Sequence, residues 1–497
     1  MKNKYIPKDQ RKKILLICDD IRTHSGIACI AREMVINTAH RYNYVNIAGA
    51  IQHPEKGQRF DLSIETNKYA DIPDSSIFLY PTDGYGDPDL LRQIIKIEKP
   101  DAIFLITDPR YFTWVFAMEN ELRKTLPIIY LNIWDSLPAP AYNTEFYQSC
   151  DLLMCISKGT KFIVKDCLSR ETPFKDLDLN EFVNKDIKNR SCPSMVSFVP
   201  HGVSEKAFYP LSNEELKSKE FIGFKNQITR NKEYEFILLF NSRNIRRKNI
   251  IDTILAWKIF LDGLSEEKRD KCLLLLHTNA VDDNGTDLNA VIEYFCPKGY
   301  NVVISEQKLA INYMNYLYNM ADGTILLSSN EGWGLALTES ILSGTPIIAN
   351  VTGGMQDQMR FEDENGEWFT PSNKIPSNHK GTFKKHGKWA LPVYPTNNSL
   401  VGSVPTPYIY DDRCQPEDAA KQIENLYNMS KEERVEKGLS GREWAMSDEA
   451  SMISPKMGDK IINSVDIMFE NWKPREKFVL CKDTDYKKRT LQHSMVY

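Results

Sequence analysis

The sequence lacks the features that place a protein in a membrane or in an oxidising compartment. Its longest unbroken apolar runs, such as Ile14 to Cys18 and Leu273 to Leu276, are far too short to span a bilayer. The polar start, MKNKYIPKDQRKK, has no hydrophobic signal core. The ten cysteines form no C-x-x-C pair and no spacing with histidine that is typical of zinc sites. We therefore expect a cytoplasmic protein with reduced thiols and no membrane span.

An excess of charge of one sign is also missing. The 497 residues carry a net charge of −4, with 26% charged and 42% hydrophobic residues, which is the balance of a soluble globular protein. Nothing in this balance requires a nucleic-acid or membrane partner. The length exceeds what one hydrophobic core usually serves, so we expect two domains. Strand and helix patterns alternate along the chain, which predicts α/β domains with doubly wound sheets.

The most informative stretch runs from Thr324 to Met355 and reads TILLSSNEGWGLALTESILSGTPIIANVTGGM. A short apolar run leads into a polar loop with two glycines, then into apolar residues at helical spacing, and then into a second strand. Its candidate binding residues are Glu331, Gly332, Trp333, Gly334, Leu335, Glu339, Gly353 and Gly354. In an open parallel sheet such a loop lies at the ligand edge, where backbone N–H groups face an anionic or hydroxyl-rich guest.

Local chemistry leaves two interpretations of this stretch open. In the first, the glycines let the backbone approach a ligand closely, and Glu331 and Glu339 accept hydrogen bonds from its hydroxyl groups. In the second, the stretch is an ordinary βαβ unit in which Glu331 caps the helix and Glu339 is solvated. Glycine loops are common enough that spacing alone does not decide between them.

The whole motif resembles the donor-site signature of the retaining glycosyltransferases of family 4, the glycosyl transferases group 1. Two glutamates eight positions apart enclose G-W-G-L, and G-T-P and G-G follow; the family usually has Phe where this chain has Trp333. The resemblance implies the GT-B fold, in which two Rossmann-like domains face each other across a cleft and the C-terminal helix crosses back to the first domain. It also implies transfer of a hexose or pentose from a nucleotide diphosphate sugar to a hydroxyl acceptor, without a metal or another cofactor.

A basic run from Arg243 to Lys248 follows a predicted strand and precedes a predicted helix. Four cations within six residues repel one another unless an anion or water lies among them. A solvated loop is the alternative, but the position at the ligand edge favours an anion site. In family 4, an Arg and a Lys at the spacing of Arg243 and Lys248 bind the donor diphosphate. The resemblance therefore implies that role for these two residues and not for Arg246 or Arg247.

The resemblance is looser in the first half of the chain. Family members have a glycine loop near the N-terminus that faces the donor phosphates. At this place the chain has a predicted strand and a polar loop that ends at Gly26. Many family members have two glycines here, and this chain has one. Asp19, Asp20 and His24 in this loop are interpreted as loop-capping residues. Asp135 follows the predicted strand Ile128 to Asn132, near a family His that contacts the transferred sugar. We predict Asp135, with Glu331, Arg243 and Lys248, as the catalytic set.

The predicted domains are residues 1–203 for the acceptor, 204–455 for the donor, and 456–497 for the crossover helix and tail. His201 could be a general base, but its setting in V-P-H-G-V favours a hinge. Residues 360–415 are rich in proline, glycine and aromatics, and we predict an insertion that forms a lid or an acceptor-binding element. Residues 169–194 are predicted to be a polar surface insertion.

Two other functions remain open. The chain could keep the fold without activity and bind nucleotide sugars or polyanions, although its intact Glu and basic motif residues argue against this. The basic and aromatic residues of 380–394 could also grip nucleic acid, which makes hydroxylated DNA bases an alternative acceptor. The net acidity of the chain weighs against DNA. The sequence identifies neither the donor sugar nor the acceptor.

Overall fold

The computed structural model describes residues 5–50, 52–134, 136–169, 195–372, 375 and 377–475. Two sheets organise these residues. The first has eight strands in the order β3-β4-β2-β1-β5-β6-β7-β8. Its strands are β1 (Lys12–Asp19), β2 (Tyr42–Gly49), β3 (Phe60–Asp61), β4 (Ile77–Pro81), β5 (Ala102–Ile106), β6 (Ile128–Asn132), β7 (Leu152–Cys155) and β8 (Met195–Phe198). Its helices are α1 (Gly26–Thr38), α2 (Ser63–Ala70), α3 (Pro88–Glu98), α4 (Thr113–Ala117), α5 (Glu119–Leu122), α6 (Thr144–Gln148) and α7 (Lys158–Ser169).

The second sheet has six parallel strands in the order β11-β10-β9-β12-β13-β14. Its strands are β9 (Phe236–Asn241), β10 (Cys272–His277), β11 (Val302–Ser305), β12 (Gly323–Leu326), β13 (Ile347–Asn350) and β14 (Ala390–Val393). A separate antiparallel hairpin follows, formed by β15 (Asn397–Ser403) and β16 (Thr406–Arg413). The helices of this half are α8 (Asn213–Leu216), α9 (Lys219–Thr229), α10 (Ile250–Asp262), α11 (Glu266–Asp270), α12 (Leu288–Phe295), α13 (Ile311–Met320), α14 (Leu335–Leu342), α15 (Met355–Gln358), α16 (Pro416–Tyr427), α17 (Lys431–Ala445) and α18 (Ser454–Asn471).

Helices cover both faces of the first sheet, which explains the unbroken apolar strands. Along β1, Ile14 and Leu16 join the core on one face, while Leu15 and Ile17 join a second core on the other. Parallel strands that are buried on both faces read as continuous hydrophobic runs rather than alternating ones. The predicted pair of doubly wound sheets is therefore confirmed.

The C-terminal helix returns to the first domain, as predicted. Helix α18 packs on α1 so closely that a Cβ at Gly458 would lie 2.9 Å from the Cβ of Asn37. Asp466 on α18 accepts hydrogen bonds from Arg41 at 2.6 Å and from Tyr42 at 2.7 Å. The returning chain pairs with the outgoing one beside His201, because the N–H of Val203 donates to Met452 and the N–H of Ser454 donates back to Val203.

The sequence predictions missed several elements. Strand β14 contains Pro392, whose missing N–H is tolerated because β14 is an edge strand. Helix α17 has too few apolar residues to show a periodic pattern. Two short helices, α4 and α5, are separated by Met118 and are too short to show a helical period in the sequence. The predicted insertion 169–194 lies outside the described residues except for Ser169. Among the helices of the described ranges, none is long and apolar enough to cross a membrane.

Candidate active site

The carboxyl ends of the two sheets meet at a cleft. Gly26, after β1, faces the loop after β12, and a Cβ added to it would lie 3.6 Å from the Cδ1 of Leu335. Lys158, after β7, donates its backbone N–H to the Oδ2 of Asp357 at 2.7 Å. Ligand edges of parallel sheets are where α/β proteins bind their substrates. The two glycine-bearing loops predicted to bind the donor therefore face each other.

The predicted donor-binding residues Glu331 to Leu335, called the donor loop below, and the turn at Gly353 and Gly354 need their glycines because the backbones of the two segments pack closely together. Gly334 has φ of +90°, and Gly353 has φ of +49°, in the left-handed region that side chains disfavour. A Cβ at Gly353 would collide with the carbonyl oxygen of Glu331, and one at Gly354 with that of Gly332. The N–H of Gly354 donates to the Glu331 carbonyl at 2.9 Å. The two glycine turns thus form one backbone-lined wall.

Trp333 turns its ring into the core beneath this wall. Its side chain is 2% exposed, and its Nε1 donates to the Oγ1 of Thr338 at 2.8 Å. Gln358 donates to the Trp333 carbonyl at 2.6 Å, and the ring of His201 packs edge-on at 6.2 Å. The larger ring at this position therefore fills the core, and what Trp333 offers a ligand is its backbone. Burial lowers the pKa of His201 to about 3, so this residue is a neutral packing partner.

Glu331 lies in the loop between β12 and α14, where two cations of the basic run contact it. Its carboxylate contacts the Nζ of Lys248, and its Oε2 accepts from the Nη1 of Arg247 at 2.9 Å. The Oγ of Ser328 donates to its Oε1 at 3.2 Å. Burial would raise the pKa of Glu331, but the charges of Arg247 and Lys248 outweigh it and hold this pKa at about 2. Glu331 is therefore an ionised carboxylate at neutral pH.

The two residues predicted to bind the diphosphate have different surroundings. Lys248 is buried beside Glu331, whereas Arg243 has an exposed side chain that pairs with Asp282, with its Nε 2.8 Å from Oδ2. This pairing holds the pKa of Asp282 at about 2. The structure thus brings Lys248 to Glu331, whereas Arg243 pairs with Asp282 and does not contact Glu331. The second cation at Glu331 is Arg247, for which the sequence comparison indicated no role.

Glu339 lies on α14 and is held by a short chain of hydrogen bonds. The hydroxyl of Tyr318 donates to its Oε2 at 2.5 Å, and the amide of Asn241 donates to that hydroxyl at 2.7 Å. Burial raises the pKa of Glu339, and the Tyr318 hydrogen bond opposes this. Tyr318 is fully buried, as an aromatic residue that packs in the core would be. Its additional role in orienting Glu339 could not be read from helical periodicity.

On the first-domain side, the acidic residues order the loop before α1. Asp19 accepts hydrogen bonds from Ser25 and from the hydroxyl of Tyr85, and Asp20 is paired with Arg22 and His53. These contacts agree with the prediction that the two carboxylates cap the loop. The predicted residue Asp135 lies outside the described residues.

The hairpin of β15 and β16, within the predicted insertion 360–415, crosses the cleft. At its base, Asp412 accepts from the hydroxyl of Thr352 at 2.6 Å, just after β13. Further along β16, Tyr410 donates its N–H to the carbonyl of Leu137, while Arg110 donates to Thr406 at 2.6 Å. The described residues that line a narrow pocket beneath the hairpin are uncharged and come from both domains, among them Ser136, Leu137, Asn330, Thr352, Gln356 and Tyr410.

The basic and aromatic residues of 380–394 do not line this pocket. Trp389 is 5% exposed and stacks on Trp444 with ring centres 5.0 Å apart. The ammonium of Lys384 lies over the ring of Tyr394 within the same segment, 5.2 Å from its centre. Trp389 is therefore a core residue of the second domain.

Comparison with known proteins agrees with this geometry. Residues 304–378, which contain the donor loop, match the family model described as glycosyl transferases group 1. The chain is 22% identical over 354 residues to an uncharacterized glycosyltransferase of Methanocaldococcus jannaschii, covering 66% of this chain and 83% of that protein.

Solved structures share the fold at low sequence identity. Sucrose-phosphate synthase from Thermosynechococcus elongatus superposes with a TM-score of 0.62 at 14% identity, covering 93% of this chain and all of that one. Anabaena HepE, solved with UDP and glucose, gives a TM-score of 0.59 at 12% identity, covering 92% of this chain and all of that one. The two facing sheets and the crossing helix give the chain the GT-B fold of these structures, and residues 304–378 are similar to the glycosyl transferases group 1 family.

Proposed function

We propose that the protein is a retaining glycosyltransferase that transfers a hexose or pentose from a nucleotide diphosphate sugar to a hydroxyl acceptor. The observation that carries the proposal is the Glu331 carboxylate beside the glycine wall, with Lys248 bound to it and Gly26 facing the same loop. Anabaena HepE was solved with UDP and glucose, and we propose UDP-glucose as the first donor to test.

In this proposal the site acts by stabilising charge. An oxocarbenium-like sugar and a departing diphosphate both develop charge in the transition state, and fixed groups aimed at that charge lower the barrier. Lys248, Arg243 and the backbone amides around Gly332, Gly334 and Leu335 would hold the diphosphate, with Gly26 allowing close approach from the other domain. Fixed cations can neutralise a diphosphate without a divalent ion.

The two glutamates would bind opposite ends of the donor, one the transferred sugar and the other the nucleotide. Glu331 accepts hydrogen bonds from the sugar hydroxyls, and Glu339, oriented by Tyr318, accepts them from the ribose. Residues 1–203 would then bind the acceptor and residues 204–455 the donor, with the crossover and tail in 456–497. The hairpin within the insertion would cover the acceptor side of the cleft.

The experiment is a pair of titrations combined with a hydrolysis screen. The wild type is first screened for consumption of nucleotide sugars, beginning with UDP-glucose, with and without a chelator. Calorimetric titrations with UDP and with the intact donor then compare Glu331→Gln, Glu339→Ala and the exposed control Glu220→Ala.

Glu339→Ala should weaken both ligands by about tenfold, which is about 1.4 kcal/mol. Glu331→Gln should keep the affinity for UDP and mainly reduce transfer, because in this proposal Glu331 contacts the donor only through the sugar. If Glu339→Ala leaves both affinities unchanged, the ribose contact is wrong. If the wild type binds no nucleotide and consumes no nucleotide sugar, the proposed function itself is wrong.

A further inference from the structure

The carboxylate of Glu331 has two cationic partners that are consecutive in sequence. Both Arg247 and Lys248 belong to one turn of 3-10 helix, Arg246–Lys248, which follows the exit of β9. Arg247 is fastened to the Glu331 loop at three points: its Nη1 lies 2.9 Å from the Oε2 of Glu331 and 2.7 Å from the carbonyl of Asn330, and its own carbonyl accepts from Ser329 at 2.8 Å. Arg247 is thus tied by side chain and backbone to the residues that position Glu331.

One cation does not suffice to balance the charge of Glu331 once the donor is bound. In this structure Lys248 is bound to Glu331, but in the proposed function Lys248 binds the donor diphosphate, which brings two negative charges into the site. When Lys248 turns to the diphosphate, Glu331 loses a counter-charge while it is 5% exposed. A buried carboxylate left without a partner is strongly disfavoured and tends to take up a proton. A protonated Glu331 would no longer be a full acceptor for sugar hydroxyls.

We propose that Arg247 is a positioning residue of the transfer reaction, which holds the Glu331 carboxylate ionised and in place while Lys248 binds the donor diphosphate. The inference rests on the proposed function, because it requires Glu331 and Lys248 to act on the donor. The guanidinium suits this role, since one fixed group reaches both the side chain of Glu331 and the carbonyl of Asn330, and an arginine keeps its charge at any working pH.

The test compares the wild type with Arg247→Gln, Arg247→Lys and Arg246→Gln, using UDP-glucose or the donor found in the screen. Arg246 is the matched control, because it lies on the same turn with an exposed side chain and its removal changes the net charge equally. Arg247→Gln should lower kcat/KM by roughly 10- to 100-fold, mostly through kcat, in the range expected for a lost charged contact. Arg247→Lys should recover most of the loss, and Arg246→Gln should stay near the wild type.

Two further readouts separate positioning from direct binding. The acid limb of the pH profile should move to higher pH in Arg247→Gln, because one of the two charges that keep the pKa of Glu331 low is gone. In a Glu331→Gln background, Arg247→Gln should have little further effect, since residues that act as a unit are not additive. Each variant is first checked for wild-type melting temperature and UDP affinity.

Three results would overturn the inference. Equal losses in Arg247→Gln and Arg246→Gln would mean that only overall charge matters. A loss confined to KM, with an unmoved acid limb, would make Arg247 a ligand of the diphosphate. Effects of Arg247→Gln and Glu331→Gln that multiply would show that the two residues act independently. All three are read in an enzyme that binds UDP, so they are distinct from a failure of the proposed function.

Discussion

The backbone N–H of Tyr410 in β16 donates a 2.6 Å hydrogen bond to the carbonyl of Leu137, on the far side of the cleft. Side chains reinforce this bridge. The hydroxyl of Tyr142 donates to the carbonyl of Tyr408, and the ring of Tyr408 packs edge-on against that of Tyr142 with centres 5.1 Å apart. A segment that belongs to the second domain in sequence is therefore docked on the first, so opening of the cleft requires this hairpin to detach.

We expect the hairpin to detach more often when its side-chain bonds are removed. In the double variant Tyr408→Phe with Thr406→Val, the Tyr408 hydroxyl that accepts from the N–H of Ala141 is lost. The Thr406 hydroxyl that accepts from Arg110 is lost as well, while the aromatic ring and the β-branched side chain are kept. Each lost hydrogen bond is worth about 1 kcal/mol, so hydrogen exchange at the Tyr410 amide should be roughly 5- to 30-fold faster. The exposed Tyr69→Phe serves as control. Unchanged exchange at Tyr410 would show that the backbone bond alone holds the hairpin.

The glycine wall gives a second prediction. In Gly354→Ala the new Cβ would meet the carbonyl of Gly332, so the donor loop must shift. UDP affinity should fall by at least tenfold, and the midpoint of urea unfolding should fall as well. Gly223→Ala in α9 is the matched control, because nothing lies within 4 Å of its Cβ position and helix propensity predicts a gain of about 1 kcal/mol. Normal UDP affinity in Gly354→Ala would remove Gly354 from the donor site.

The site residues that could be predicted are those that lie together in one short stretch of the sequence. Glu331 and Glu339 share one loop and helix with their glycines, so a single stretch of sequence identifies them. Arg247 was missed because four neighbouring cations look alike in sequence, and the choice among them is made by a turn that packs against a loop more than 80 residues later. Tyr318 was missed because a buried aromatic on a helix indicates core packing, and its hydroxyl partner is set by tertiary structure.

In the fold as well, the elements with a local sequence signal were predicted and those set by long-range contacts were not. The alternation of strands and helices was predicted, because burial on both faces leaves an unbroken apolar run such as Ile14 to Cys18. The insertion was predicted without internal structure, since prolines and glycines hide β14 and the exposed hairpin has little apolar pattern. Long-range pairing, here β13 with β14 and Tyr410 with Leu137, is not encoded in any local period.

A third prediction concerns Trp389, which the sequence allowed as an acceptor-binding residue. It stacks on Trp444, donates to the carbonyl of Gln358 at 3.0 Å, and is 5% exposed. Trp389→Ala should therefore cost about 3–5 kcal/mol in the free energy of unfolding, measured with urea. Tyr294→Ala, at an 82% exposed position, should change it by less than about 0.5 kcal/mol. A Trp389→Ala variant of normal stability that no longer used its acceptor would restore the binding role.

The DNA alternative is tested through the lysines of the same segment. Because Lys384 and Lys385 are not among the described residues that line the pocket beneath the hairpin, and Lys384 lies over Tyr394, we expect Lys384→Glu with Lys385→Glu to leave transfer unchanged. Transfer to the true acceptor is compared at low and high salt, since phosphate contacts make affinity strongly salt-dependent. A salt-sensitive wild type whose acceptor use collapses in the double variant would instead support a polyanionic acceptor.

The last prediction follows from Asp357, which joins the domains by accepting from the backbone N–H of Lys158. The carboxyl is 2% exposed, and burial raises its pKa to about 7 although the hydrogen bond and charge of Lys158 oppose this. Between its ordinary value of 3.8 and about 7, the folded protein holds a proton that the unfolded chain releases. Stability therefore falls as pH rises through this window and is not lowered further by this group above it.

Asp357→Asn should remove that penalty, because the amide oxygen can still accept from Lys158 and carries no charge. Its urea midpoint should equal that of the wild type near pH 4 and exceed it near pH 8. A pKa shift of about three units sets an upper limit of about 4 kcal/mol on the gain in the free energy of unfolding. His201 is buried in both proteins, and its pKa of about 3 lies below the ordinary value of 6.5. It therefore lowers the stability of both proteins equally as pH falls below 6.5. The difference in stability between wild type and variant does not contain this effect. The exposed Asp283→Asn is the control. A difference that does not change with pH, or a variant that is weaker near pH 8, would mean that Asp357 is ionised across the whole range and that the domains are joined by its charge.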